Sequence, residues 1–343
     1  MKKLLIVMAA IAAASTSFAG KLNLDARVDS DSATYNTDAG LPGYQKYYLQ
    51  TGRIDWNGTA NEDLSYRVRL RFNKTQGAVN TRDSLNDTVD MAYFANKMSD
   101  LTLTLGKFEI DTAGFEGATT GADLYFTSQA YNDTTVSNTR YATGLKGTYN
   151  FGDHTLALGH TNPRSDETQG SSFAQSNSVA FLVYKGALLE KSLKLNASYH
   201  QSHKAYDKDA TNSQMNLGVK YEQAAWFASL DLNMHAAKNY TTADKTDTLS
   251  SYVLNGGYNI NDSMAVKAKY EMSNKLVNTN ATTETKTAYT GMGLAFEYKP
   301  VADTNFRYHV AYTSLGSKVD GATASPNESH VVLGARLLAD FLK

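Results

Sequence analysis

Between Leu64 and Phe72, Arg67, Arg69 and Arg71 occupy every second position and alternate with Tyr66, Val68 and Leu70. A period of two gathers the guanidinium groups on one face of an extended strand and the apolar side chains on the other. Guanidinium stays charged at any physiological pH, so a row of three on a wet face would draw anions rather than move protons. A water-facing strand is polar in any case, and a slip of one residue would turn all three to the other side. Other chemistry is thinly represented. His154, His160, His200, His203, His235, His309 and His330 are scattered, and the one close pair, His200 with His203, falls on opposite faces of a strand, which disfavours a shared metal ion. No glycine-rich phosphate loop, nucleophile elbow or zinc motif occurs, so neither catalytic residues nor a cofactor is expected and the chain does not read as an enzyme. Asn57-Gly58-Thr59 matches a glycosylation pattern that chance in turns explains.

The start of the chain sets the compartment in which such a face would work. Lys2 and Lys3 precede an apolar run from Leu4 to Ala14, and Ser17-Phe18-Ala19 supplies small residues where a signal peptidase needs them. Cleavage is expected after Ala19, which leaves residues 20–343 as one domain. The run is about half the ~20 residues of a membrane-spanning helix, and no later segment is longer. Removing two lysines leaves 31 basic against 34 acidic residues, too even a balance to suggest nucleic acid as a partner. With 0 Cys, disulfide-stapled secreted folds and thiolate metal clusters are excluded. Mean hydropathy is −0.42, far too polar for a helical membrane protein. A wall with one lipid face and one water face averages out to such a value while keeping its period of two.

That period recurs along the chain. Leu22, Leu24, Ala26 and Val28 alternate with Lys21, Asn23, Asp25 and Arg27. Similar stretches follow at 44–56, 64–72, 89–95, 101–105, 141–151, 156–160, 179–185, 193–199, 215–221, 226–234, 252–258, 264–270, 290–298, 306–312 and 331–341. About sixteen strands result, of which 44–56, 156–160 and 179–185 alternate least clearly. Connections alternate between short turns, such as Gly152-Asp153, 222–225, 259–262 and 299–303, and long polar stretches at 30–43, 73–86, 162–175, 202–212, 236–247 and 273–286. Pro42, Pro163, Pro300 and Pro326 all fall in connections, so no ladder loses a donor. Tyr149, Phe151, Tyr199, Tyr221, Trp226, Tyr258, Tyr270, Tyr298 and Tyr312 stand near strand ends, where interfacial girdles lie.

An all-β transmembrane antiparallel barrel of about sixteen strands, a leader peptide, short turns at one end and an exceptionally long third loop resemble the general porins of Gram-negative outer membranes. Gly106-Lys107-Phe108 at the entrance to that loop and Ala113-Gly114-Phe115-Glu116-Gly117 within it are the local likeness. The resemblance implies a loop from Glu109 to Asn138 folded into the lumen, with acidic Glu109, Asp111 and Glu116 facing basic residues of the wall. It also implies a homotrimer. The chain departs from the family at its end, where Phe341 stands two residues before the terminus instead of closing it.

Alternation alone nominates the wall residues: Lys21, Arg27, Arg53, Arg67, Arg69, Arg71, Arg140 and Lys146 early, then Lys194, Lys220, Lys267, Lys269, Arg307 and Arg336. Asp25, Asp55, Asp90, Asp231, Glu271 and Glu297 oppose them. The expectation is a pore through which ions and small hydrophilic solutes diffuse passively, mildly preferring anions, in a lipid-embedded barrel without metal or cofactor. A channel selective for phosphate, other anions or sugars is the alternative, as is a non-conducting structural or adhesive barrel; a sugar channel would need more inward aromatics than Phe108, Phe227 and Tyr289.

Overall fold

The computed structural model describes residues 19–36, 43–72, 88–133, 140–162, 178–204, 207–239, 245–278, 283–301, 304–322 and 326–342. Its strands are β1 (Ala19–Tyr35), β2 (Tyr44–Thr59), β3 (Leu64–Arg71), β4 (Val89–Met98), β5 (Leu101–Glu109), β6 (Tyr141–Phe151), β7 (His154–Thr161) and β8 (Ser178–Leu188). They continue with β9 (Leu193–Lys204), β10 (Asp207–Glu222), β11 (Trp226–Asn239), β12 (Lys245–Asn261), β13 (Met264–Asn278), β14 (Glu284–Tyr298), β15 (Asn305–Val319) and β16 (Asn327–Leu342). Each strand pairs antiparallel with the next, and β1 pairs with β16, so the sheet is a closed barrel. Closure leaves no edge with unpaired backbone groups, the condition that strands must meet in lipid. Among the described residues no helix is long and apolar enough to cross a membrane.

The period of two becomes a difference between outside and inside. Leu105, Leu145, Leu158, Leu182, Leu217, Leu230, Leu254, Leu294 and Leu333 are exposed, while Arg27, Asp29, Thr51, Arg53, Asp90, Asn196, Asn216, Asp231, Asn233 and Glu271 of the same sheet are buried. That is a barrel turned inside out relative to a soluble one. Tyr149, Phe151, Trp226, Tyr258 and Tyr298 lie exposed near the strand ends, whereas Tyr199, Tyr270 and Tyr312, also exposed, fall mid-strand because β9, β13 and β15 run on past their expected ends; Tyr221 contacts Trp226 with ring centres 5.4 Å apart.

Several strands outgrow their expected ends. β11 and β12 stay paired to Asn239↔Lys245, and β13 and β14 to Asn278↔Glu284, through most of what alternation reads as loops at 236–247 and 273–286. β1 runs to Tyr35 and β10 starts at Asp207, which likewise shortens the expected loops at 30–43 and 202–212. Beyond the hydrocarbon both faces are wet, so the hydropathy signal disappears while the backbone ladder continues. The long loop at 73–86, residues 163–175 of the next one and the leader up to residue 18 lie outside the described residues.

β8 explains why its alternation is faint. Val179, Phe181 and Val183 point inward and are buried, and Leu182 between them faces lipid, so both faces are apolar. What the inner face covers is the start of the third loop.

Candidate functional site

The third loop follows β5 and contains α1 (Gly114–Ala118), a 3-10 turn (Gly121–Asp123) and α2 (Gln129–Asn132). At its root Phe108 and Ile110 pack against Ala142 of β6, Ala157 of β7, and Phe181 and Val183 of β8, with Phe108 edge-on to Phe181 at 6.3 Å. His200 of β9 reaches the Asp111 carbonyl at 3.0 Å.

Past the root the chain reverses through Ala113 and Gly114, both with left-handed φ (58° and 62°). Gly114 also lies against the Asp231 carboxylate, and a Cβ on Gly117 would overlap the Thr112 carbonyl, so the two glycines of Gly114-Phe115-Glu116-Gly117 are required by close approach. Asp231 of β11 accepts the Phe115 and Glu116 N–H groups at 2.8 and 3.1 Å. Glu116 accepts from Lys269 of β13 at 2.7 Å and from the Ser128 N–H at 2.8 Å. Glu271, also on β13, accepts the Gln129 N–H at 2.8 Å.

The middle of the loop is tied to a different sector. Arg27 of β1 donates to the Ala122 and Leu124 carbonyls at 3.1 and 2.8 Å, and its guanidinium lies 4.5 Å from the Tyr125 ring centre. Arg53 of β2 donates to Thr120 at 2.8 Å. Asp123 pairs with Arg307 of β15 and with Arg336 of β16, the latter at 2.6 Å. Tyr125 donates to Glu297 of β14 at 2.7 Å. Burial would raise the Asp123 carboxyl, but Arg307 and Arg336 outweigh it and hold the group at about 2. Burial, reinforced by Glu297, pushes the Tyr125 hydroxyl up, so it remains a donor. A segment bonded to β1 and β2, β9, β11, and β13 through β16 spans opposite sides of a closed barrel and must cross its interior.

The residues nominated by alternation divide into groups. Arg27, Arg53 and Arg140 are buried and hold the loop, Arg140 by donating to the Gly117 carbonyl at 3.0 Å and stacking 4.1 Å from the Tyr131 ring centre. Arg69 and Arg71 share the buried Asp90 at 3.4 and 2.7 Å. Arg67, a third exposed, is held by both oxygens of Asp55. Lys146 stands 4.8 Å from the Phe108 ring centre, and Lys21 is exposed near the start of β1, away from the group. Of the three arginines on β3, Arg69 and Arg71 therefore share surroundings, Asp90 and the Tyr141 ring, while Arg67 is held apart by Asp55.

The loop acids divide as well. Glu109 approaches Arg69 and Arg140 at 3.9 and 4.0 Å, as the resemblance implies. Asp111 instead pairs with Lys185 of β8 at 2.8 Å, and Glu116 faces Lys269. The reversal at Ala113-Gly114 turns Glu116 away from the arginines toward the opposite wall. Asp123, Ser128 and Lys185 escaped sequence reading: an aperiodic loop carries no facing signal, and Lys185 sits on the strand whose alternation is masked.

Open space flanks the loop. A cavity of 540 Å³ lies between the loop and β9 to β14, bordered by Lys194, Lys220, Lys267, Phe115, Phe126 and Phe227 among others. A second of 210 Å³ is bordered by Arg67, Tyr93, Glu109, Asp111 and Lys146. Ala118, exposed at the end of α1, borders both.

A closed sixteen-stranded barrel with a lipid-facing apolar belt, a polar interior and a loop braced across it defines a porin of the Gram-negative outer membrane, a channel rather than an enzyme. The chain belongs to the family described as phosphate-selective porin O and P, which matches residues 22–246. That family is narrower than the general porins and accords with the selective-channel alternative. No curated protein matches the sequence. Among solved structures, the outer membrane channel DcaP of Acinetobacter baumannii superposes with TM-score 0.67 at 12% identity, covering 93% of this chain and 97% of that one. The anion-selective porin from Comamonas acidovorans gives 0.65 at 14%, covering 93% and 100%. In-vitro folded OmpT of Vibrio cholerae, in a trimer form, gives 0.62 at 15%, covering 94% and 100%. At these identities the likeness is one of fold.

Proposed function

We propose that this porin admits small anions ahead of cations, with inorganic phosphate as its leading solute, and that it assembles as a homotrimer. The observation that carries the reading is an excess of basic groups in two lumen clusters: Arg69, Arg71 and Arg140 meet two carboxylates, Asp90 and Glu109, and Lys194 and Lys220 meet one, Glu222. The carboxylates of Asp29, Asp90 and Glu116 have no exposed side-chain surface, and Glu297 keeps 6%. Lys185, Lys194, Lys220 and Lys267 keep 46, 41, 22 and 28%. A hydrated ion crossing the lumen therefore passes locally net-positive clusters, although partly exposed carboxylates (Glu109, Asp111, Asp123 and Glu222) are also present and the numbers of charges nearly balance. In a passage walled by low dielectric such a bias raises local anion concentration. The family description and the named selectivity of the Comamonas porin support this reading, and the OmpT trimer form supports the assembly.

The test is planar-bilayer conductance of the refolded mature protein, with reversal potential under a chloride gradient and phosphate titrated against the chloride current. An anion-selective reversal potential and saturable block by phosphate are expected, with selectivity falling when Lys194, Lys220 and Lys267 are changed together to Gln. Conductance with no phosphate saturation returns the protein to unselective diffusion. An inserted, folded barrel that does not conduct supports the adhesive reading. Trimerisation is read by crosslinking in the membrane.

A further inference from the structure

The larger cavity has features that a small inorganic anion does not need. Three phenyl rings border it, Phe115 and Phe126 from the loop and Phe227 from β11. Each rests on wall backbone that bears no side chain. A Cβ on Gly218 of β10 would come within 2.8 Å of the Phe115 ring, one on Gly257 of β12 would collide with Phe227, and one on Gly291 of β14 would collide with Phe126. Three glycines on three strands thus seat three rings, which form an apolar floor to this cavity, separate from the apolar cluster at the loop root. Along its rim Lys194 and Lys220 share one carboxylate, Glu222, at 2.9 and 2.8 Å, so two ammonium groups face a single counter-charge. Lys220 also lies 4.5 Å from the Phe227 ring centre. Positive charge beside an apolar floor matches a ligand with one anionic end and one flat apolar body. Inorganic phosphate leaves the rings unused, and a neutral sugar leaves the two ammonium groups unanswered.

We infer that this cavity is a binding site for aromatic carboxylates, the carboxylate taken by Lys194 and Lys220 and the ring laid on Phe115, Phe126 and Phe227. The site rests on the anion-channel reading above and narrows it to a further substrate class. Transfer of the ring from water to the phenyl floor supplies affinity that the charge alone does not, and edge or offset contacts among the rings orient it.

Calorimetric titration of the folded barrel in detergent, with benzoate, acetate, phosphate, benzyl alcohol and glucose as probes, tests this without requiring conductance. Benzoate should bind at least tenfold more tightly than acetate or benzyl alcohol. Phe227→Ala should remove most of that margin, and Phe227→Leu, which keeps the volume, should lose part of it. Lys194→Gln with Lys220→Gln should weaken benzoate at least threefold and leave benzyl alcohol where it was. Folding of each variant is checked by heat-dependent gel mobility. Equal binding of benzoate and acetate overturns the inference, as does a benzoate margin that survives Phe227→Ala; glucose binding as tightly as benzoate would give the cavity to sugars. Benzoate binding in a barrel that shows no anion preference in the bilayer would keep the site and refute the channel reading separately.

Discussion

At its root the third loop is held by Phe108 and Ile110 among Ala142, Ala157, Phe181 and Val183, an apolar contact whose one neighbouring ammonium, that of Lys146, lies 4.8 Å from the Phe108 ring centre. Across the lumen the same loop is held at Asp123 by Arg307 and Arg336, with Arg27 and Arg53 on its carbonyls and hydroxyl. Apolar packing is indifferent to pH and salt and tolerates small rotations, whereas the ionic end is directional and depends on the protonation of one carboxylate. The apolar end fixes that the loop turns inward. The ionic end fixes where it stops, and so the width of the passage beside Ala118.

The comparison can be broken from either end. The largest effect is expected from Phe181→Ala, which empties the root: about 3–5 kcal/mol of stability by the cost of deleting a buried ring, read as a lower melting temperature, with noisy conductance that salt does not correct. Asp123→Asn should cost about 3 kcal/mol, because it leaves two largely buried guanidinium groups facing a neutral amide; a larger, salt-sensitive conductance is the readout. If both variants show the same salt dependence, the distinction between the ends is wrong. Next in size is pH. The Asp123 carboxyl is depressed to about 2, so its contribution is complete above its unfolded value near ~4 and is lost as pH falls through about 2. Conductance should therefore be steady from neutral pH down to ~4 and rise below it by an amount corresponding to about 2 kcal/mol, a rise that Asp123→Asn abolishes. Thr120→Val, which removes the hydroxyl held by Arg53, should cost only about 1 kcal/mol and sharpen the picture by showing a small increase in open-channel noise.

How much of this was written in the sequence depends on which medium a residue faces. Where a strand separates lipid from water, as at Leu64 to Phe72 or Leu22 to Val28, hydropathy reports the face and the strand order follows. Where water lies on both sides, as along β11 and β12 beyond the membrane, the ladder continues without a signal. Where protein lies on the inner side, as at Val179, Phe181 and Val183, the signal inverts. The loop was recognisable by length and by its Gly114-Phe115-Glu116-Gly117 segment, and Glu109, Asp111 and Glu116 were together expected to face basic wall residues. Which one each would meet was not legible: Glu116 meets Lys269 because a left-handed reversal puts Asp231 opposite two backbone N–H groups. Asp231, Glu271 and Glu297 could be assigned inward from alternation, yet that they receive the loop is a tertiary fact with no local trace. Charge counting likewise gave a positive wall, whereas in the structure most of the counted basic groups meet a carboxylate.

The bonds that carry the loop across the lumen also act on the wall itself. A hollow cylinder of hydrogen-bonded ribbons deforms most easily by flattening into an ellipse, and lateral pressure from the surrounding lipid pushes in that direction. Ties from β1, β14, β15 and β16 through Asp123 and Tyr125, and from β2 through Thr120, to β11 and β13 through Glu116 and Gln129 work like spokes, which must stretch or compress before the cross-section can change. The aperture is thereby shielded from fluctuations in membrane tension, and cutting one spoke would soften the whole rim.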